Sequence, residues 1–122
     1  MNSLQVDNEL AVAIRALGDV FIARMPAILA DMRTQLHQGD SDPEPLPTWQ
    51  NLHRQLHSIA GSAGSFGYAE LGLNARSLEL QLEVHLKSGG MTTASTRAEF
   101  MAAMDTFINW VTLNYIASAT GS

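Results

Sequence analysis

The 122 residues contain no cysteine, so disulfides and thiolate metal sites are excluded, and a reducing cytosol is compatible with the chain. Basic residues are few: seven against twelve acidic ones, a net charge of −5. That balance argues against sequence-independent binding to nucleic acid, which needs a basic surface. No apolar run approaches the roughly 20 residues needed to span a bilayer, so no membrane partner is expected. The N-terminus lacks a basic segment followed by an apolar run, so no signal peptide is expected either, and the cytoplasm is the expected location. There is no GxxxxGK[ST] loop and no kinase glycine loop, which excludes ATP chemistry by this chain alone. Sustained alternation of apolar and polar residues is missing as well, so strands are not expected.

What remains is helical spacing punctuated by two breaker clusters. Gly39-Asp40-Ser41-Asp42-Pro43-Glu44-Pro45-Leu46-Pro47 reads as a loop, and Lys87-Ser88-Gly89-Gly90 as a helix stop with a cation in its last turn. The spacing predicts a short first helix from about Asp7, as N-cap, to Leu17, interrupted by Gly18. A second runs from about Asp19 to His37, with Phe21, Met25, Ile28, Leu29, Met32 and Leu36 on one face. Pro26 near its second turn predicts a kink or a delayed start. The third is predicted from an N-cap at Thr48 to Phe66-Gly67, and the fourth from Tyr68 to Lys87 with Leu71, Ala75, Leu78 and Leu82 inward. The last starts near Thr93 or Thr96, where Thr96 and Glu99 have capping-box spacing. Its buried stripe is Phe100, Met104, Phe107, Ile108, Val111 and Tyr115. The expected fold is all-α: an antiparallel four-helix bundle with an additional short N-terminal helix. The length fits a single domain, 1–122, with a core bundle at about 19–117 and a small polar tail.

One stretch departs from an ordinary surface helix. With His57 set at zero on a helical wheel, Leu52, Leu56, Ile59, Ala63 and Phe66 fall between about 180° and 260°, a core stripe. His57 points away from them. His53, Gly61 and Gly64 lie within about 40° of His57, and Arg54 and Ala60 within about 60° on either side. Glycine in a helix costs about 1 kcal/mol relative to alanine, yet two glycines occupy the His57 face. The bare face allows another protein's surface to come close to the imidazole.

His57-Ser58-Ile59-Ala60-Gly61-Ser62-Ala63-Gly64-Ser65-Phe66-Gly67 resembles the signature of histidine-phosphotransfer (HPt) domains. The signature is an acceptor His, a hydrophobic residue two on, Gly four on, a small-residue run and a closing Phe-Gly. Phe21 to Leu29 looks like the preceding HPt helix, and Leu71 to Glu79 like the following one, with its Leu78-Glu79 pair. The resemblance covers most of residues 19–86.

It implies a phosphocarrier rather than a self-sufficient enzyme, in a two-component phosphorelay. His57 is the implied phosphoacceptor. A response-regulator receiver domain or a hybrid sensor kinase is the implied partner, and the receiver supplies the aspartate, Mg²⁺ and a lysine. No cofactor is expected on this chain. Many HPt domains carry Lys three residues after the His; here Ala60 stands there, and Arg54 is the expected substitute beside the phosphoryl group. Gly61 is expected to adjoin the phosphoryl group as well. Docking of the partner is expected over His53, Ser58, Gly61 and Gly64. Two other readings stand beside this one. The missing lysine suits an HPt-like module that docks a receiver or kinase without carrying phosphate. His53 and His57, four apart, could begin a metal site, but zinc wants three or four ligands, and Glu79 and His85 have no spacing logic as the third.

Overall fold

The computed structural model describes residues 3–91 and 93–117; of the polar tail, residues 118–122 lie outside them. The described residues form four α-helices: α1 (Ser3–Ser41), α2 (Leu46–Ser65), α3 (Ala69–Lys87) and α4 (Ala94–Val111). The chain leaves α4 through a π-helical turn, Thr112–Ile116, and no strand occurs among the described residues.

The first two expected helices are one. Gly18 does not interrupt α1, because its missing side chain serves packing rather than chain reversal. A Cβ there would lie 3.3 Å from the Tyr68 hydroxyl and 3.4 Å from Phe66 Cβ. Asp7 is therefore inside the helix rather than at its cap, and Pro26 is carried within α1 without delaying its start. At about 1.5 Å per residue α1 is about 58 Å long. Its residues 3–17 are exposed throughout, and burial begins at Gly18.

One cap differs from expectation, and at α4 the first of the two expected starts, Thr93, is the cap. The N-cap of α2 is Pro45, not Thr48: Pro47 at the helix start costs nothing there, because the first N–H groups have no intrahelical acceptor. In α4 the capping residue is Thr93, whose hydroxyl accepts from Thr96 N–H at 3.0 Å; Thr96 is the residue capped, so the Thr96–Glu99 box does not form. The end of α2 falls where the Phe-Gly pair predicts. Gly67 takes φ +87°, a conformation that favours glycine, and Tyr68 N–H then closes on Ala63 O at 2.8 Å.

Contacts at both ends of neighbouring helices set their directions. The Trp49 ring, at the start of α2, packs on Gly39 near the end of α1. At the other end the Phe21 and Phe66 rings lie 5.8 Å apart. Along α2 and α3, His57 meets Glu79 while Gly72 sits beside Ala60 and Gly64. The ion pairs Arg97–Asp40 (3.1 Å) and Arg33–Asp105 (2.9 Å) lay α4 back along α1.

The core follows the apolar spacing. Met25, Leu29, Met32 and Leu36 of α1 meet Leu52, Leu56, Ile59 and Ala63 of α2, the inward row Leu71, Ala75, Leu78 and Leu82 of α3, and Phe100, Met104, Phe107, Ile108 and Val111 of α4. Phe21, Ile28, Phe66 and Tyr115 are half-buried at its ends. Fully burying a leucine such as Leu52 or Leu56 stabilises the fold by about 1.5–3 kcal/mol. The result for function is a closely packed α2–α3 pair with a bare, glycine-lined face.

Candidate functional site

His57 lies midway along α2, on the face opposite Leu52, Leu56 and Ile59, and its side chain is 72% exposed. The ring is nonetheless held. Glu79 of α3 reaches between the helices with a side chain only 4% exposed, and His57 Nδ1 lies 2.7 Å from its Oε2. Burial would raise the Glu79 carboxyl, but contact with Arg76 and His57 outweighs it and holds the group below its ordinary value. Glu79 is therefore a carboxylate and can only accept. Nδ1 must then carry the hydrogen, and in the neutral ring the lone pair is therefore on Nε2, on the exposed side.

Two further groups meet the same carboxylate. Arg76, one turn earlier on α3 and half-exposed, brings Nη1 to 2.9 Å from Glu79 Oε1. The guanidinium and the buried Oε1 form an ion pair across one turn of α3. His53, 24% exposed, points Nε2 at Glu79 Oε2 from 4.0 Å, and that nitrogen is buried without a hydrogen-bond partner. So His53, His57 and Glu79 converge although sequence spacing gave Glu79 no part. Among the described residues no group of three or more His, Asp and Glu side chains is placed to hold a metal ion.

Beside His57 an open groove runs between α2 and α3, lined by Ala60, Gly61, Gly64, Gly72, Leu73 and Arg76 among others. A Cβ at Gly61 or Gly64 would meet nothing within 4 Å, so neither glycine is required by packing within the chain. Gly72 is different: a Cβ there would press on Ala60 O at 3.2 Å and Gly64 N at 3.3 Å, so this glycine sets how closely α3 approaches α2. Ser58 is exposed on the other flank of α2. Arg54 lies on that flank too, hydrogen-bonded to Asn51 and lining a second groove with Asp31, Gln35, Gln55 and Ser58.

The structure thus brings His57, Ala60, Gly61 and Gly64 to one groove, with His53 behind the ring, and puts Arg54 and Ser58 on the neighbouring one. The spacing along α2 did not reveal Glu79 or Arg76. The available signal was the Leu78-Glu79 pair, which sets a charged residue beside a core leucine on a helix predicted to pack next to His57.

An all-helical bundle presenting one exposed, carboxylate-held histidine on a bare helix face defines a class of helical carrier and docking modules. The model of the Hpt domain family matches residues 16–110, most of the chain, and the protein belongs to that family. Hpt domains are phosphocarrier modules that act in histidine phosphotransfer and interact with receiver domains. No curated protein and no solved structure matches the chain.

Proposed function

We propose that this chain accepts and donates a phosphoryl group on His57, exchanging it with the aspartate of a receiver domain or of a hybrid sensor kinase in a two-component phosphorelay. The observation that carries the reading is the His57–Glu79 bond. With Nδ1 as donor to the carboxylate, Nε2 is the proposed nucleophile, and the bond orients the ring without covering it.

The transfer balances without a proton leaving the ring. The Nε2 lone pair attacks phosphorus, and the P–O bond of the partner's aspartyl phosphate breaks. The aspartate departs as a carboxylate with the bonding pair. The imidazole becomes cationic, with hydrogen still on Nδ1, and the Glu79 carboxylate stabilises that charge. In the reverse direction the same contact weakens as the ring returns to neutral. Positioning and charge neutralisation dominate phosphoryl transfer, and Mg²⁺ and a lysine on the receiver would supply the rest.

The docking face is proposed to comprise His53, Ser58, Gly61 and Gly64, with Ala60 and Gly61 nearest the phosphoryl group and Arg54 at the edge. The glycines admit the partner's backbone to the ring. The proposed setting is the cytoplasm, where receiver and kinase domains of such relays operate.

Incubation with a receiver domain phosphorylated on its aspartate should give the chain an acid-labile label, and His57→Gln should take none. Binding of the receiver with no label on the wild-type chain would instead establish a docking module that carries no phosphate.

A further inference from the structure

We propose that Arg76 of α3 is the cation that binds the phosphoryl group on His57, leaving Glu79 Oε1 to do so. The inference rests on the reading of His57 as the phosphoacceptor and names the residue that takes the place of the absent lysine.

The need for a cation follows from charge. With the ring in the neutral form that attacks phosphorus, the ring, the carboxylate and the guanidinium sum to zero. Phosphorylation makes the ring cationic and adds about two negative charges beside a carboxylate that is almost wholly buried. With Arg76 engaged the cluster then carries about one net negative charge, and without it about two.

Position selects Arg76. Imidazole and guanidinium contact opposite oxygens of a single carboxyl group, His57 on Oε2 and Arg76 on Oε1. Both residues line the same groove, and the α2 residues between them there are Ala60, Gly61 and Gly64, so no long side chain stands in the way. Arg54 faces the other groove and is bonded to Asn51. Arg33, Lys87 and Arg97 pair with Asp105, Glu83 and Asp40, and Arg24 lines a groove on the α1 side of α2.

The state of the Arg76–Glu79 pair allows exchange. Arg76 is 51% exposed, so its guanidinium has open space in which to turn. When the guanidinium turns away, the phosphoryl group offers it bidentate, charge-assisted acceptors in place of the carboxylate oxygen it leaves. Glu79 is not left uncompensated, because the ring bonded to it has just acquired a positive charge.

The test is a double-mutant cycle on the full chain, charged to equilibrium by a phosphorylated receiver domain, with bound phosphate followed by ³¹P NMR. Arg76→Ala should lower the phosphorylated-to-free ratio by about threefold to tenfold, more at low salt than at high. Arg76→Lys should recover most of the loss, and Lys87→Ala, which removes a cation paired with Glu83 outside the groove, should stay within about twofold of wild type. In a Glu79→Gln background Arg76→Ala should cost a similar factor, because the guanidinium acts on phosphate directly. If Arg76→Ala matches wild type, or its effect vanishes once Glu79 is Gln, the proposal is overturned; the second outcome would make Arg76 only a brace for Glu79. If the wild-type chain takes no label at all, the phosphoacceptor reading fails first, and this one with it.

Discussion

Keeping a carboxylate ionised in the near-absence of water costs free energy unless its charge is compensated. Glu79 is compensated from two sides, and its pKa is lowered from the ordinary 4.5 by those contacts against the opposing effect of burial. The folded chain therefore binds this proton less readily than the unfolded one. The stability Glu79 contributes is present in full above the ordinary value and is lost as pH falls through the lowered one. Urea unfolding at pH 6 and at pH 3.5 should show the gap between wild type and Glu79→Gln closing in acid. A gap independent of pH would mean that Glu79 is not held as a carboxylate. Gly61 tests the face beside the ring. Because a side chain there meets nothing within the chain, Gly61→Arg should leave the melting temperature unchanged or slightly raised, while receiver binding drops at least about tenfold from steric exclusion. Unchanged receiver affinity would remove the explanation for a glycine on an exposed helix face. His57 and its glycines were legible in the sequence because they share one helix, where a 100° wheel orders everything. Arg76 and Glu79 were not, because their placement depends on how α3 packs on α2.

Among the elements, the α2–α3 pair sets the site. Gly72 allows the backbones to approach until Ala60 O and Gly64 N stand just clear of its hydrogens, and Glu79 lies two turns further along the same helix. Gly72→Val should cost about 1–3 kcal/mol by overpacking and should weaken phosphorylation of His57 by displacing Glu79. Loss of stability with labelling fully intact would show that the carboxylate tolerates a shifted α3. The caps and breaks illustrate what local sequence does and does not determine. The Phe66-Gly67 stop was legible because a left-handed residue ends a helix by local geometry. Gly18 read as a break by the same local logic, yet its partners, Tyr68 and Phe66, come from a distant part of the chain and turn it into a packing residue within a continuous helix. Thr48 looked like a cap by residue type, but Pro45 and Pro47 allow the helix to start one turn earlier.

At the scale of the molecule, the buried rows of all four helices were legible because the 3.6-residue period reports burial directly, whereas the order in which those rows face one another follows from short connections and ion pairs across helices. The bundle's burial starts at Gly18, although α1 begins fifteen residues earlier with Ser3. Residues 3–15 are exposed, so a chain shortened to begin at residue 16 should lose no more than about 0.5 kcal/mol in chemical denaturation. It should accept phosphate like the full chain, and a larger loss of stability would place part of the folding free energy in the projecting helix. The central claim is that His57 Nε2 carries phosphate. It is tested most directly by charging the chain from an aspartyl-phosphorylated receiver and locating the phosphoryl group by ³¹P–¹⁵N NMR. The account predicts a single phosphohistidine at position 57, bonded through Nε2 with hydrogen retained on Nδ1. Phosphate at Nδ1, on His53, or on no histidine would contradict it.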